Sequence, residues 1–300
     1  MDFSKLMLGT VQFGLNYGIA NTAGKPSYEN ARDIIQAAYE SGVNCLDTAA
    51  GYGDSEAVLG RALAELNLKD KMEVISKVPG ISQQNLSESA AERFIVESVE
   101  NSLARLGIKR LTACLFHVEQ DIKYIGILQS LERKGLIGGA GISLDTNQYC
   151  NDAIAAGIKY VQLPYNILDK RFDAFFSLAQ KNGIVVFARS VYLQGLLLMP
   201  EDKIRESLHE VIPIRCKLAC LAADAGMDMS ELCMRFVLSN PAITSVLTGV
   251  DNIEQFKHNL QLIEKGPLSA ALQQKIKASI PLLDEKIIRP SLWNKIPPLG

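Results

Sequence analysis

KLMLGTVQFGLNYG, residues 5–18, opens as a short apolar strand and then breaks into a loop whose glycines sit in the wrong register for a nucleotide-binding turn. A doubly wound dinucleotide fold places G-x-G-x-x-G directly after its first strand, so that backbone can approach a pyrophosphate at a helix N-terminus. Gly9, Gly14 and Gly18 do not make that spacing. The nearest imitation, GGAG at 138–141, lies inside a later strand-like run and lacks the third glycine. It reads as close packing between neighbouring strands, where a side chain would not fit.

From that first strand outward, one pattern recurs along the chain. Short runs rich in Val, Ile and Leu alternate with longer stretches of helical spacing. The runs are 5–11, 44–50, 72–78, 111–117, 136–144, 160–166, 184–190 and 244–250. Helices are expected at about 28–41, from 55, at 87–106, up to 134, at 147–156, 172–181, in segments between 201 and 225, and at 253–264. Gly42, Gly107, Gly135, Gly157 and Gly183 fall where those helices should stop. Strands buried on both faces and alternating with helices imply a parallel sheet. Eight such units without a nucleotide fingerprint favour an α/β architecture of one kind, a single-domain (β/α)8 TIM barrel, which typically uses ~250 residues. The chain has 300 residues, and the remainder from about 268 is expected to form a further helix and a proline-punctuated tail.

Composition narrows the partners. Hydrophobic residues make up 48% and charged residues 21%, enough for a large core without disulfides. A formal net charge of −2 supplies no field to attract nucleic acid or anionic lipid. No run of ~18 apolar residues is present, so no membrane span is expected. The six cysteines are scattered and complete no tetrahedral metal set, so no metal is expected. The opening MDFSKLMLGTVQFG lacks the layout of a signal peptide, and a cytoplasmic location is the expectation.

Catalytic groups in such a barrel lie at the C-terminal ends of the strands. Asp47 ends the second strand, Tyr52 follows in LDTAAGYGDSE, Lys77 ends the third in VISKV, and His117 ends the fourth in CLFH. Each alone has an ordinary structural reading, as a turn cap, a packing ring or a solvated charge. Together they suit hydride reduction of a carbonyl, which leaves an alkoxide in need of a proton. Tyrosine can supply it, and a lysine ammonium beside the phenol is expected to lower its pKa from ~10. Asp47 would keep Lys77 charged and aimed, and His117 would orient the substrate carbonyl by a hydrogen bond.

These residues, with LGTVQFG (8–14), ISKV (75–78), LFH (115–117), GIS (141–143), VQLPYN (161–166), SVYLQGLL (190–197) and TGVDNIEQFKHNL (248–260), resemble the aldo-keto reductase superfamily over nearly the whole chain. The GLNYGIAN and SVYLQGLLLM stretches resemble a bacterial branch of that superfamily often linked to sugar metabolism. The resemblance implies that Asp47, Tyr52, Lys77 and His117 form the catalytic tetrad, with Tyr52 as acid. It implies a nicotinamide dinucleotide across the barrel mouth, NADPH on the family pattern with NADH open. By the same resemblance Ser143 and Gln162 hold the nicotinamide carboxamide, and Thr10, Arg189 and Ser190 also belong to the cofactor site. Leu193, Gly195 and Leu197 cover the pyrophosphate, and Gly249, Asn252, Gln255 and Asn259 meet the adenosine.

Three positions depart from the family pattern. Leu144 stands where Asn usually follows the serine of GIS, which removes one carboxamide hydrogen bond. Arg189 stands where an aromatic usually stacks on the nicotinamide. A guanidinium there would disfavour the oxidised, cationic ring, whereas the plainer reading is an arginine paired with an acid. Gly249 and Gln255 replace the basic groups that hold a 2′-phosphate, leaving Lys257 as the nearest cation. The substrate pocket is expected from Phe13, Asn16, Tyr17, Tyr192 and Trp293, with Trp293 equally readable as a tail anchor. Their polarity suits a sugar-like carbonyl compound. The main reading is an NAD(P)H-dependent reductase, a monomer or weak homo-oligomer. The alternatives are a cofactor-binding redox sensor with little turnover, and a barrel using Lys77 as a Schiff-base nucleophile.

Overall fold

Each apolar run forms a strand. In a computed structural model describing residues 2–21, 24–82 and 84–293, the strands are β1 (Leu6–Gly9), β2 (Cys45–Asp47), β3 (Glu73–Val78), β4 (Ala113–Phe116), β5 (Ala140–Ser143), β6 (Tyr160–Pro164), β7 (Val185–Arg189) and β8 (Ile243–Gly249). They pair in chain order, all parallel, and β8 closes on β1 through the register Leu6↔Val246 to Gly9↔Gly249. The fold is a closed (β/α)8 barrel.

The covering helices start where local chemistry favours it. Ser27, Ser87 and Asp228 accept hydrogen bonds from the third backbone N–H beyond them, and so cap the helices Tyr28–Glu40, Glu88–Leu106 and Met229–Leu238. Gly107 ends the longest of these in the left-handed region, at φ 63°. The helix Met229–Leu238 is absent from the sequence reading. Its apolar run LCMRFVL hides a helical period, and only Asp228 signals a start. The run at 136–144 is also less regular than expected. Only Ala140–Ser143 is strand, and Ile137 makes an isolated bridge to Leu111. The GGAG glycines are packing positions: a Cβ on Gly138 would lie 2.4 Å from the Thr112 carbonyl, and one on Gly141 would lie 2.3 Å from that of Tyr160.

Side-chain alternation decides what faces the barrel axis. The inner cluster includes Met7, Cys45, Ile75, Leu115, Tyr160, Phe187 and Leu247. The N-terminal end is closed by aromatics, with the Phe3 ring 5.3 Å from that of Phe187 and 6.2 Å from that of Tyr160. Two residues further along the strands, the same inward face carries Gly9, Asp47, Lys77, His117, Gln162, Arg189 and Gly249. Ser143 joins them, because it shares a strand face with Gly141, where a Cβ would press on the inward Leu115 Cδ2 at 2.4 Å. The intervening residues face outward into a larger apolar layer between sheet and helices, Leu144 among them.

Beyond residue 268 a helix spans Ala270–Ser279, followed by the short turns Glu285–Ile288 and Pro290–Trp293. Ile287, Ile288 and Trp293 are buried in the outer layer and fix this segment to the barrel. The last residues of the expected tail, 294–300, lie outside the described residues.

Candidate active site

The C-terminal end of the barrel gathers the tetrad. Lys77 Nζ lies 2.7 Å from each carboxylate oxygen of Asp47, 2.9 Å from the Thr48 carbonyl and 3.4 Å from the Tyr52 hydroxyl. Both members of the ion pair are buried. A buried pair survives its desolvation only when both partners are fully hydrogen-bonded. Here the ammonium has an acceptor for each proton, and Asp47 gains a further bond from Gln162 Nε2 at 2.7 Å. Burial alone would drive the Lys77 proton off, but Asp47 and Tyr52 outweigh it and hold the pKa above its ordinary value.

Tyr52 sits on the loop after β2 rather than on a strand, and glycines decide its place. A Cβ on Gly14 would fall 1.8 Å from the Tyr52 carbonyl and 2.6 Å from the Ser55 amide. Gly53, at φ 57°, presses on Gly14 in turn, at 2.6 Å from its carbonyl. The Tyr52 ring meets the His117 ring edge-on, centroids 5.5 Å apart. The expected lowering of the phenol pKa is not found. Burial raises it first, the Lys77 ammonium lowers it, the Asp47 carboxylate raises it again, and the net direction is upward. The phenol therefore keeps its proton, as an acid must. Burial, with Lys77 and Arg189 nearby, brings His117 down to about 3, so its imidazole is neutral at pH 7.

Ser143 and Gln162 present complementary polarity to the same space. Asp47 accepts only, so the Gln162 amide turns its NH2 toward it and leaves its oxygen as the other end. Among the described residues the Ser143 hydroxyl makes no hydrogen bond. A hydroxyl donor beside an amide acceptor matches a carboxamide, so these residues fit a nicotinamide. The loop after β7 is strained: Ser190, Leu193 and Gln194 all have φ between 48° and 65°. Asn166, buried after β6, ties down the Ser190 carbonyl at 3.0 Å. Gly195 packs against the β1 loop, where a Cβ would meet Ala20 Cβ at 2.4 Å, and Gln194 Nε2 donates to Tyr17 at 3.1 Å. Two loops thereby join beside the mouth.

Other expected residues are placed differently. Thr10 is fully buried, its hydroxyl donating to the Asp47 carbonyl at 2.9 Å and lying 2.8 Å from Ser55 Oγ. It braces β1 to β2 instead of facing a ligand. Phe13 is fully buried in the helix layer, and Trp293 is a core anchor, so neither lines an open pocket. The side chains of Leu193 and Leu197 turn into the core, whereas that of Gln194 stays at the surface. Tyr17 is exposed, and the partly buried Tyr192 bonds Asn259 Oδ1 at 3.0 Å. Asn259 Nδ2 reaches Thr248 Oγ1 at 3.3 Å. At the far end Asn252 caps the helix Ile253–Glu264. Gln255 Oε1 accepts from the Asp251 amide at 2.8 Å, and exposed Gly249 abuts the Gln12 amide.

The sequence reading missed Thr48, Asn166 and Asp145. Asp145 is the first loop residue after GISL, and that position at the barrel mouth is the signal that should have marked it. Its carboxylate meets Arg189 at 3.3 Å, and Arg189 also donates to the Leu144 carbonyl at 3.1 Å.

A parallel (β/α)8 barrel with a buried Lys–Asp pair, a protonated phenol and a neutral imidazole at its mouth is the architecture of a barrel oxidoreductase. The chain belongs to the Aldo/keto reductase family, which it matches over residues 5–280. It is 26% identical to an uncharacterised oxidoreductase, YqkF, of Bacillus subtilis, with 93% of this chain and 92% of that one aligned. It is 25% identical to the NADH-specific methylglyoxal reductase of Escherichia coli, over 85% of this chain and 92% of the relative. Among solved structures it is similar to the holo form of an aldo-keto reductase of Bacillus halodurans, with TM-score 0.75, 25% identity and 95% of each chain covered. The protein is accordingly an NAD(P)H-dependent oxidoreductase of a family that acts on small carbonyl compounds. Among the described residues, no helix is long and apolar enough to cross a membrane.

Proposed function

We propose that this enzyme reduces a small, sugar-like aldehyde or ketone, with Tyr52 protonating the carbonyl oxygen. The observation that carries the reading is the Lys77 ammonium held between the Asp47 carboxylate and the Tyr52 hydroxyl. When bound, the nicotinamide supplies the hydride. Tyr52 gives its proton as negative charge develops on oxygen, and Lys77 stabilises the phenolate left behind. The neutral His117 holds the carbonyl oxygen by a hydrogen bond without competing for the proton. Exposed hydroxyl and amide groups at the mouth, from Asn16 and Tyr17, suit a polar substrate. Tyr52→Phe is expected to lower kcat at least a thousandfold while cofactor affinity stays within about threefold. A variant keeping a tenth of the activity would remove Tyr52 as the acid.

The family pattern favours NADPH, but the adenosine end supports NADH. Gly249 and Gln255 offer no cation, and Gln255 is engaged with Asp251. Asp251 is half-buried, and burial, partly offset by Gln255, holds its carboxyl above the usual range. An acid beside a 2′-phosphate repels it, whereas a 2′-hydroxyl can donate to it. Fluorescence titration is expected to give tighter binding of NADH than of NADPH, and the reverse order would restore NADPH. Arg189, facing inward at the mouth, is read as a cofactor-facing cation that favours the reduced over the oxidised nicotinamide.

A further inference from the structure

The carboxylate of Asp145 stands between two guanidiniums and divides itself unequally. Its Oδ2 takes Arg289 Nη2 at 2.8 Å, Arg289 Nε at 3.1 Å and the Ser291 hydroxyl at 2.9 Å. Its Oδ1 has a single longer bond to Arg189, at 3.3 Å. The loop that carries it is tied down by hydrogen bonds to its backbone. Buried Glu119 accepts from the Asp145 and Thr146 amides, each at 2.8 Å, and Arg171 Nη1 donates to the Asp145 carbonyl at 3.0 Å. Arg289 is equally fixed, between buried Ile288 and Trp293, with Nη1 on Glu285 at 2.5 Å. Arg189, opposite, is still about a quarter exposed and contributes to the depressed pKa of His117, so its charge reaches the reaction centre.

We propose that the C-terminal segment is a positioning element of the active site: Arg289 and Ser291 draw the Asp145 charge away from Arg189 and leave that guanidinium positive toward the bound cofactor. This rests on the reading of Arg189 as a cofactor-facing cation. The trio carries one net positive charge, and its placement depends on which arginine the shared carboxylate serves. With Arg289 present, Arg189 is anchored by the Leu144 carbonyl and only weakly neutralised. Without it, Asp145 is released to pair fully with Arg189. A positive charge near the ring disfavours an oxidised, cationic nicotinamide and leaves the neutral reduced form nearly unaffected. Residues far along the chain from the tetrad thus set the ratio of the dissociation constants for NAD+ and NADH.

The test is that ratio, measured by fluorescence titration in five variants, with thermal unfolding to confirm folding. Arg289→Gln is expected to lower it by roughly three- to tenfold, the scale of one partly screened charge a few ångströms away. Arg289→Lys keeps the cation and is expected to stay near wild type. Asp145→Asn retains an acceptor for Arg189 without the charge, and the ratio is expected to rise. A merely structural role would move Arg289→Gln and Asp145→Asn in the same direction, and that result overturns the proposal. Arg289→Gln added to Arg189→Leu is expected to change the ratio by less than Arg289→Gln alone, and a fully additive effect overturns it as well. If Arg189→Leu alone leaves the ratio unchanged, the reading of Arg189 fails first and takes the proposal with it.

Discussion

At His117 the surroundings matter more than the residue. An imidazole ordinarily titrates near ~6.5, in the middle of the working range. Here burial comes first, followed by the Lys77 and Arg189 charges, and together they bring it to about 3. The folded state therefore refuses a proton that the unfolded chain accepts below pH ~6.5. Stability from this group is complete above that pH and is lost as pH falls toward 3. Between pH 7 and pH 5 the loss is about 2 kcal/mol. Urea unfolding is expected to show that loss in the wild type and a smaller one in His117→Gln. An equal loss in both would mean that His117 is not held neutral. The rate profile of the wild type should likewise show no ionisation near 6.5. Asp47 and Lys77 illustrate the same dependence from the other side, since each is tolerable in the interior only because the other is within 2.7 Å.

Among the elements, the strands act through parity and the loops through glycine. Strand alternation carries Asp47, Lys77, His117, Gln162 and Arg189 inward without any special geometry. Tyr52 has no strand to place it, and its loop is seated by the backbone contact of Gly14 and Gly53. Gly14→Ala would push a methyl into the Tyr52 carbonyl, and backbone cannot yield as a flexible side chain does. A shift of about an ångström in a catalytic group costs on the order of 100-fold in rate. Gly14→Ala is accordingly expected to lower kcat by about that factor with the protein still folded by circular dichroism. Full activity would show that the loop is free to move and that Tyr52 is not held by this contact. The β7 loop follows a different rule, with three non-glycine residues in the left-handed region held there by Asn166 and by Gly195 against Ala20. Strain of that kind persists where surrounding structure over-determines it.

The whole barrel separates stability from chemistry along its axis. The N-terminal half is packed with Phe3, Tyr160 and Phe187, whereas the C-terminal half carries the polar site. Phe187 is fully buried and lies one step below Arg189 on the same inward face. Phe187→Ala is expected to cost about 3–5 kcal/mol of stability through the cavity it leaves. Thermal unfolding would report that loss, while NADH affinity well below the melting range should change by less than about threefold. A large loss of affinity at full stability would mean that the two halves are coupled. The helix Met229–Leu238 and the segment from Glu285 to Trp293 complete the outer layer, and the latter also reaches the mouth through Asp145.

Taken by itself, the sequence determined the barrel, because eight apolar runs with helical spacers admit few arrangements and the first lacks a nucleotide fingerprint. It also determined which strand ends carry Asp47, Lys77 and His117, since a period of two and a strand boundary are local properties. It placed Tyr52 and the glycines of GGAG by pattern. That Thr10, Phe13 and Trp293 face the core emerges with the folded barrel, because both faces of a buried parallel strand and its flanks read as equally apolar. The tertiary structure alone decided that burial outweighs Lys77 at the Tyr52 phenol, since desolvation depends on everything packed around a group. The Arg189–Asp145–Arg289 chain joins residues 100 positions apart in sequence. No local pattern encodes such a contact, and only closure of the barrel brings its charges together.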